Sequence, residues 1–276
     1  MRAILFVIAG RPVISWAFFA VVGMWAAFFK IQAELRRKGI SDLRLMALFL
    51  SGTVAWFLGA RLAQGLTVDP SFSINQFSLW WRASTGYVLY GGVLGVFLVG
   101  WVFWWFLGLK RALSLSEFWD FGAAALGWAL FWGRIGCGFY GCCYGTPAGP
   151  WPGYELRPEY WDFQNREFPW TLQGVRLHPT PFYEALGIFL CLVIISRLQR
   201  WGRGQVRLVP PGVSGWLFWF LYGVLRFFLE WIRLDLRGIG FAGLSPSQWV
   251  SIGLMGIAPG LMVFEWYRNQ VSTEGR

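Results

Sequence analysis

Residues 213–233 read Val213-Ser-Gly-Trp-Leu-Phe-Trp-Phe-Leu-Tyr222-Gly-Val-Leu-Arg226-Phe-Phe-Leu-Glu230-Trp-Ile-Arg233. The run is long enough to cross about 30 Å of hydrocarbon, which takes about 20 apolar residues in a helix. It nevertheless carries three ionisable side chains. Arg226 and Glu230 stand four residues apart, so a helix puts them on one face, where they can pair. An apolar helix with charges of this kind is a membrane span with buried polar business, because ionisable groups in spans are costly and mark function by default.

Six other stretches read as spans: roughly 13–31, 45–66, 86–107, 119–140, 180–198 and 247–267. The composition agrees. Of 276 residues, 56% are hydrophobic, 20% aromatic and only 14% charged, against about 25% charged in soluble domains. This excludes a disordered chain, a coiled coil and an ordinary cytosolic enzyme. The expected fold class is all-α: a polytopic membrane protein with seven transmembrane helices, residues 1–276 forming a single transmembrane domain. The 35 glycines and 20 tryptophans suit that class, since Gly lets helices approach in lipid and Trp collects at the interfaces.

The formal net charge of +10 does not point to nucleic acid, because Lys and Arg sit between apolar runs and not in a polar basic domain. Their distribution sets orientation instead. Lys30, Arg36, Arg37, Lys38, Arg44, Lys110, Arg111, Arg197, Arg200, Arg203, Arg207, Arg268 and Arg276 fall on one side, 13 against 7 on the other, with four inside spans. By the positive-inside rule the N-terminus is outside and the C-terminus cytoplasmic. Residues 1–12 lack a cleavage pattern for a signal peptide and read as a short amphipathic segment on the outer surface. The connection 141–179 is the only long one. Its prolines and Trp151, Trp161 and Trp170 read as an outward-facing interfacial loop or cap.

Arg61, Arg134, Arg226 and Glu230 are the intramembrane charges that matter, with Arg233 nearer the outer end. An Arg fork suits a phosphate better than Lys does, so Arg134 and Arg226 facing one cavity would hold a phospholipid headgroup. His178, the only histidine, reads as a helix cap or interface residue. Glu184 lies one turn into its span and needs a partner, with Tyr183 beside it. Cys137, Cys142, Cys143 and Cys191 lack the paired spacing of a metal site, so no metal is expected there. Gly136–Gly141 matches G-x-G-x-x-G, but an apolar helix precedes it where a dinucleotide site needs a strand. Gly91 and Gly95 form a small-xxx-small pair for helix packing.

Taken in order, these motifs resemble the bacterial prolipoprotein diacylglyceryl transferases across nearly the whole chain. Leu5 to Ile14 resembles the family's N-terminal segment, and Gly59-Ala-Arg61 its G-[GA]-R. Tyr90-Gly91-Gly92-Val-Leu-Gly95 resembles H-G-G-x-x-G. Gly133-Arg134-Ile-Gly136 to Gly145 resembles G-R-x-G-N-F-x-N-G-E-x-x-G. His178-Pro-Thr-Pro-Phe-Tyr183-Glu184 resembles H-P-[ST]-Q-L-Y-E, and Tyr222 to Arg233 resembles Y-G-x-x-R-F-x-x-E-x-x-R. The resemblance implies a seven-span enzyme of the bacterial inner membrane, without a cofactor. It would move diacylglycerol from phosphatidylglycerol, or a similar anionic phospholipid, onto the lipobox Cys thiol of preprolipoproteins.

Carried over by position, the resemblance gives Arg134, Arg226, Glu230 and Tyr90 to catalysis. Arg134 and Arg226 would take the phosphate, with Glu230 orienting Arg226. Arg61, Gly91, Gly92, Gly136, Cys137, His178, Tyr183, Glu184, Tyr222 and Arg233 would contact substrate. The departures fall on the acceptor side. Tyr90 replaces the family's His, Cys137 its Asn, Cys142 its Glu, Trp16 a Tyr and Pro181 a Gln. A His serves as base near neutral pH where an untuned Tyr does not. The acceptor therefore stays open between a lipoprotein cysteine and a non-protein group, beside a third reading in which the chain binds lipid without catalysis.

Overall fold

The computed structural model describes residues 3–67, 88–106, 109–156, 170–201, 209–234 and 241–274. The protein is mostly helical, with two small sheets. The long helices are α1 (Ser15–Arg37), α2 (Asp42–Thr67), α3 (Leu89–Phe106), α4 (Leu115–Tyr140), α5 (Thr180–Trp201), α6 (Val213–Leu229) and α7 (Pro246–Glu274). Each lies on one of the stretches read as spans. Five of them, α1, α2, α5, α6 and α7, are long and apolar enough to cross a membrane on their own. The described part of α3 is a shorter apolar helix. α4 is diluted by Arg134 and by Gly122, Gly127, Gly133, Gly136 and Gly138. Large apolar side chains point outward along these helices, among them Leu94, Leu98 and Trp101 of α3 and Val263, Phe264 and Tyr267 of α7. Such a surface belongs in lipid, and the protein is a multi-pass membrane protein.

Helix starts follow local chemistry. Before α4, the Ser114 hydroxyl accepts the Glu117 amide while the Glu117 carboxylate accepts the Ser114 amide. Before α7, Ser245 and Gln248 exchange the same pair of bonds, with Pro246 at the first helical position. Both are capping boxes, which satisfy amides that a helix start leaves without partners. α6 begins at Gly212 (φ +95°) and is capped from a distance. The Asp120 carboxylate of α4 accepts the amides of Gly212 and Gly215 at 2.8 and 2.7 Å, a negative charge at the positive end of the helix dipole.

The N-terminal segment is a β-hairpin, β1 (Ile4–Ile8) against β2 (Arg11–Ile14), with Phe6 opposite Val13 and Ile8 opposite Arg11. Its turn is Ala9-Gly10, both at positive φ (49° and 74°). Two positive φ values in sequence match the twist of paired strands, which a helix forbids. Phe6, Val7 and Ile8 at its tip are exposed. The second sheet pairs β3 (Tyr154–Glu155) with β4 (Arg176–Leu177) over a small core of Leu156 and Leu177 flanked by Tyr144, Tyr154, Leu172 and Val175. It gives the described parts of the 141–179 connection an ordered framework.

The chain forms two compact units, residues 28–118 and residues 1–27 with 119–276. In the first, α2 packs along α3 through glycine. A Cβ on Gly91 would lie 2.3 Å from both the Ala63 Cβ and the Gly59 carbonyl oxygen, and one on Gly95 would lie 2.4 Å from the Ala55 carbonyl oxygen. Gly92 faces the Trp56 ring. Because the obstacle at Gly95 is backbone, it cannot rotate away. Gly95→Leu should destabilise this unit by about 1–3 kcal/mol, read as a lowered thermal unfolding temperature in detergent micelles.

Candidate active site

The second unit holds a cluster of charges around one carboxylate. Glu184, on the first turns of α5, is fully buried. Its Oε2 lies 3.0 Å from Arg134 Nε on α4 and 3.5 Å from Arg233 Nη1. Its Oε1 lies 3.7 Å from Arg226 Nε on α6 and accepts a hydrogen bond from the Tyr222 hydroxyl at 3.1 Å. Arg226 also donates through Nη2 to Glu230 Oε2 at 2.9 Å, and its Nη1 is buried with no acceptor among the described residues. The side chains of Arg226 and Arg233 are 3% and 2% exposed, so the guanidiniums are held by these carboxylates and not by water. Tyr222 is stacked on Phe218, ring centroids 6.1 Å apart, which fixes its hydroxyl toward Glu184.

Close helix contacts bring the charges within reach. A Cβ on Gly127 of α4 would meet Leu192 at 2.7 Å and Phe218 at 2.9 Å, and one on Gly187 of α5 would meet Leu225 at 2.5 Å. Gly136 and Gly138 serve the same end: the first faces Trp16 and Phe19 of α1, the second the Phe182 ring. Below the charges, α5 and α6 enclose an open apolar groove of about 470 Å³, lined by Leu190, Ile194, Leu221, Leu225 and Phe228 among others.

After α4 the backbone turns back at Gly141 (φ +84°) and Cys143 (φ +62°). The returning strand is pinned on both sides. The Gly145 amide donates to the His178 carbonyl, the His178 amide to the Thr146 carbonyl and the Thr146 amide to the Ile232 carbonyl, at 3.0, 3.0 and 2.8 Å. The Thr180 hydroxyl donates to the Cys143 carbonyl. Gly145 admits no side chain, since a Cβ there would come 2.6 Å from the Ile232 carbonyl oxygen. This turn brings the Sγ atoms of Cys137, Cys142 and Cys143 within 4.8 Å of one another. Arg134 Nη1 lies 3.9 Å from Cys143 Sγ. Hydrogen bonds from the Cys137 and Cys142 thiols, reinforced by the charges of Arg233 and Arg134, hold the Cys143 thiol well below its ordinary range. The same contacts with Cys137 and Cys143, with burial, push Cys142 well above it.

Of the residues singled out in the sequence, Arg134, Glu184, Tyr222, Arg226, Glu230 and Arg233 meet in one cluster, with Cys137 beside it. His178 does not join through its ring, which bonds the Tyr183 hydroxyl at 3.2 Å from Nδ1; its backbone does the pinning. Arg61, buried in α2, and Gly91 and Gly92 in α3 belong to the other unit. Tyr90 lies in the first turn of α3, and its side chain falls outside the described residues, as does Trp161. Glu184 is more central than its sequence suggested: an acid in want of one partner has three arginines and a tyrosine. Removing its charge takes away the carboxylate that three buried guanidiniums share. Glu184→Gln should cost about 3–5 kcal/mol, measured as the loss of thermal stability in micelles relative to the native chain.

Known proteins resemble this chain over nearly its whole length. The family model for prolipoprotein diacylglyceryl transferase matches residues 3–264. A phosphatidylglycerol–prolipoprotein diacylglyceryl transferase of Clostridium tetani is 26% identical over 264 residues, 96% of this chain and 97% of the relative. The protein of the same name from Finegoldia magna is 27% identical over 98% of each chain, and that of Idiomarina loihiensis 30% identical over 94% of this chain and 91% of its own. The match runs from the hairpin through the arginine cluster and into α7, so the chain belongs to the prolipoprotein diacylglyceryl transferase family.

Proposed function

We propose that the chain transfers the diacylglyceryl group of phosphatidylglycerol to the cysteine thiol of a prolipoprotein, in the bacterial inner membrane. Its seven helices would serve as seven spans, with the N-terminus outside and the C-terminus in the cytoplasm. The observation that carries this reading is the convergence of Arg134, Arg226 and Arg233 on Glu184, with Arg226 Nη1 buried and lacking an acceptor among the described residues. Arginines from three elements converge in an apolar surrounding, where a phosphodiester is the complementary guest. The family match over nearly the whole chain and the names of its relatives support the same donor and acceptor.

In this reading the phosphate of the donor lies on Arg134 and Arg226, and its acyl chains run down the groove between α5 and α6. Glu184 and Glu230 fix the two guanidiniums in place before substrate arrives. When the acceptor sulfur attacks the glyceryl carbon, the carbon–oxygen bond breaks and charge builds on the departing glycerol phosphate. Donors fixed in advance toward that charge lower the barrier without reorganising. The reaction also needs the acceptor as thiolate, the nucleophilic form of a thiol. The arginine cluster supplies the leaving-group half of this chemistry, and the thiol-activating half lies elsewhere.

The test is transfer of radiolabelled diacylglycerol from phosphatidylglycerol vesicles to a lipobox peptide by the purified chain. Arg134→Ala and Arg226→Ala should each lower the rate by about 10²-fold or more while the protein still inserts. Undiminished transfer by the double variant would remove the phosphate role. For the orientation, a reporter fused after Arg276 should read cytoplasm, and one inserted near Trp161 should read the outer side.

A further inference from the structure

The helix end of α4 and the turn that follows it bring three thiols together beside the arginine cluster. Cys137 is in the last turn of α4, and Cys142 and Cys143 are on the returning strand. Their sulfurs lie within 4.8 Å of one another. Three thiolates around a tetrahedral zinc at about 2.3 Å stand roughly 3.8 Å apart, so small rotations about the side-chain bonds close the set on an ion. The strand that carries Cys142 and Cys143 is held on both sides by the backbone bonds of Gly145 and Thr146, and Cys143 itself sits at a φ of +62°. A non-glycine residue in the left-handed region costs about 1–3 kcal/mol and persists where the surroundings over-determine it. Here the cost aims the Cys143 sulfur at its neighbours.

The outer partners fit as well. Arg134 Nη1 points at Cys143 Sγ from 3.9 Å, the kind of second-layer hydrogen bond that orients a metal ligand. Three thiolates on a divalent ion carry one net negative charge, and the Arg134 guanidinium stands beside it. The His178 ring is engaged with Tyr183 and is not part of the set.

We propose that Cys137, Cys142 and Cys143 bind a zinc-class soft divalent cation through three sulfurs, leaving a fourth position open for the acceptor thiol. The use of that open position rests on the transfer reading above. There the incoming thiol loses its proton to solvent as its sulfur joins the ion. The sulfur then attacks the glyceryl carbon; the sulfur–carbon bond forms as the carbon–oxygen bond breaks, and the electron pair leaves on the phosphate oxygen. Nothing is oxidised or reduced. The ion would supply the acceptor as thiolate, since a coordinating thiol is deprotonated outright.

The experiment uses the full chain in detergent micelles, reduced and stripped with a chelator, then titrated with cobalt. One cobalt per chain with a thiolate-to-metal charge-transfer band, displaced by zinc, is the expected result. Cys143→Ser and Cys137→Ser should weaken cobalt binding by about tenfold or more while unfolding at the native temperature, and Cys191→Ser should leave the band intact. No band with the reduced native chain, or an equal band in Cys143→Ser, overturns the site. Cobalt binding at the predicted sulfurs together with a phosphatidylglycerol-to-peptide transfer rate that falls on stripping and returns with zinc supports the whole proposal. Transfer that is unchanged by stripping overturns the role in thiol activation and leaves the transferase reading standing. A bound ion with no transfer under any loading upholds the metal site and overturns the transferase reading.

Discussion

A single buried carboxylate organises one of the two compact units of this protein. Glu184 faces guanidiniums from α4, from α6 and from the turn after α6, and each ion pays several kcal/mol to leave water. That cost is offset only when all of them arrive in register. The packing around the cluster is built to that end: Gly127 lets α4 close on α5 and α6, Gly187 lets α5 close on α6, and Tyr222 supplies the remaining hydrogen bond to the carboxylate. The result is rigid positive charge set in apolar surroundings, which a mobile surface cluster in water does not provide.

Much of the helical architecture was legible because membrane spans announce themselves by length. The stretch read at 180–198 is Thr180–Trp201, and that read at 119–140 lies within Leu115–Tyr140. Gly91 and Gly95 read as a close-packing pair and do pack against the backbone of α2. The Arg226–Glu230 pair was legible because its spacing is local. Glu184 was not: its partners lie 50 residues before it and 42 and 49 after it, and no periodicity links them. A usable signal was charge bookkeeping, since spans with several arginines and few acids oblige each acid to serve more than one. The N-terminal hairpin was missed because its turn, Ala9-Gly10, lacks the usual Asn-Gly or Asp-Gly chemistry and its apolar run suggests an amphipathic segment as readily.

The cysteines teach a different lesson. Spacing rules for metal sites assume ligands presented by one turn or by two knuckles. Cys137 leaves a helix end and Cys142 and Cys143 return to it through two left-handed residues, so the three converge without the usual spacing. Their place in the chain is also where this member departs from its family's signature.

The charge cluster also constrains how the chain can enter the bilayer. Helices are delivered to the membrane in order, and an arginine at mid-depth costs about 2.5–3.5 kcal/mol on insertion. α6 brings its own counter-charge, since Glu230 follows Arg226 by one turn and pairs with it at 2.9 Å. α4 carries Arg134 with its carboxylate partner on the next helix, Glu184 of α5. α4 and α5 therefore settle best as a pair, because Arg134 meets its carboxylate only when α5 arrives. Assembly of the charge cluster thus hinges on α4 waiting for α5, a dependency written into the position of one acid.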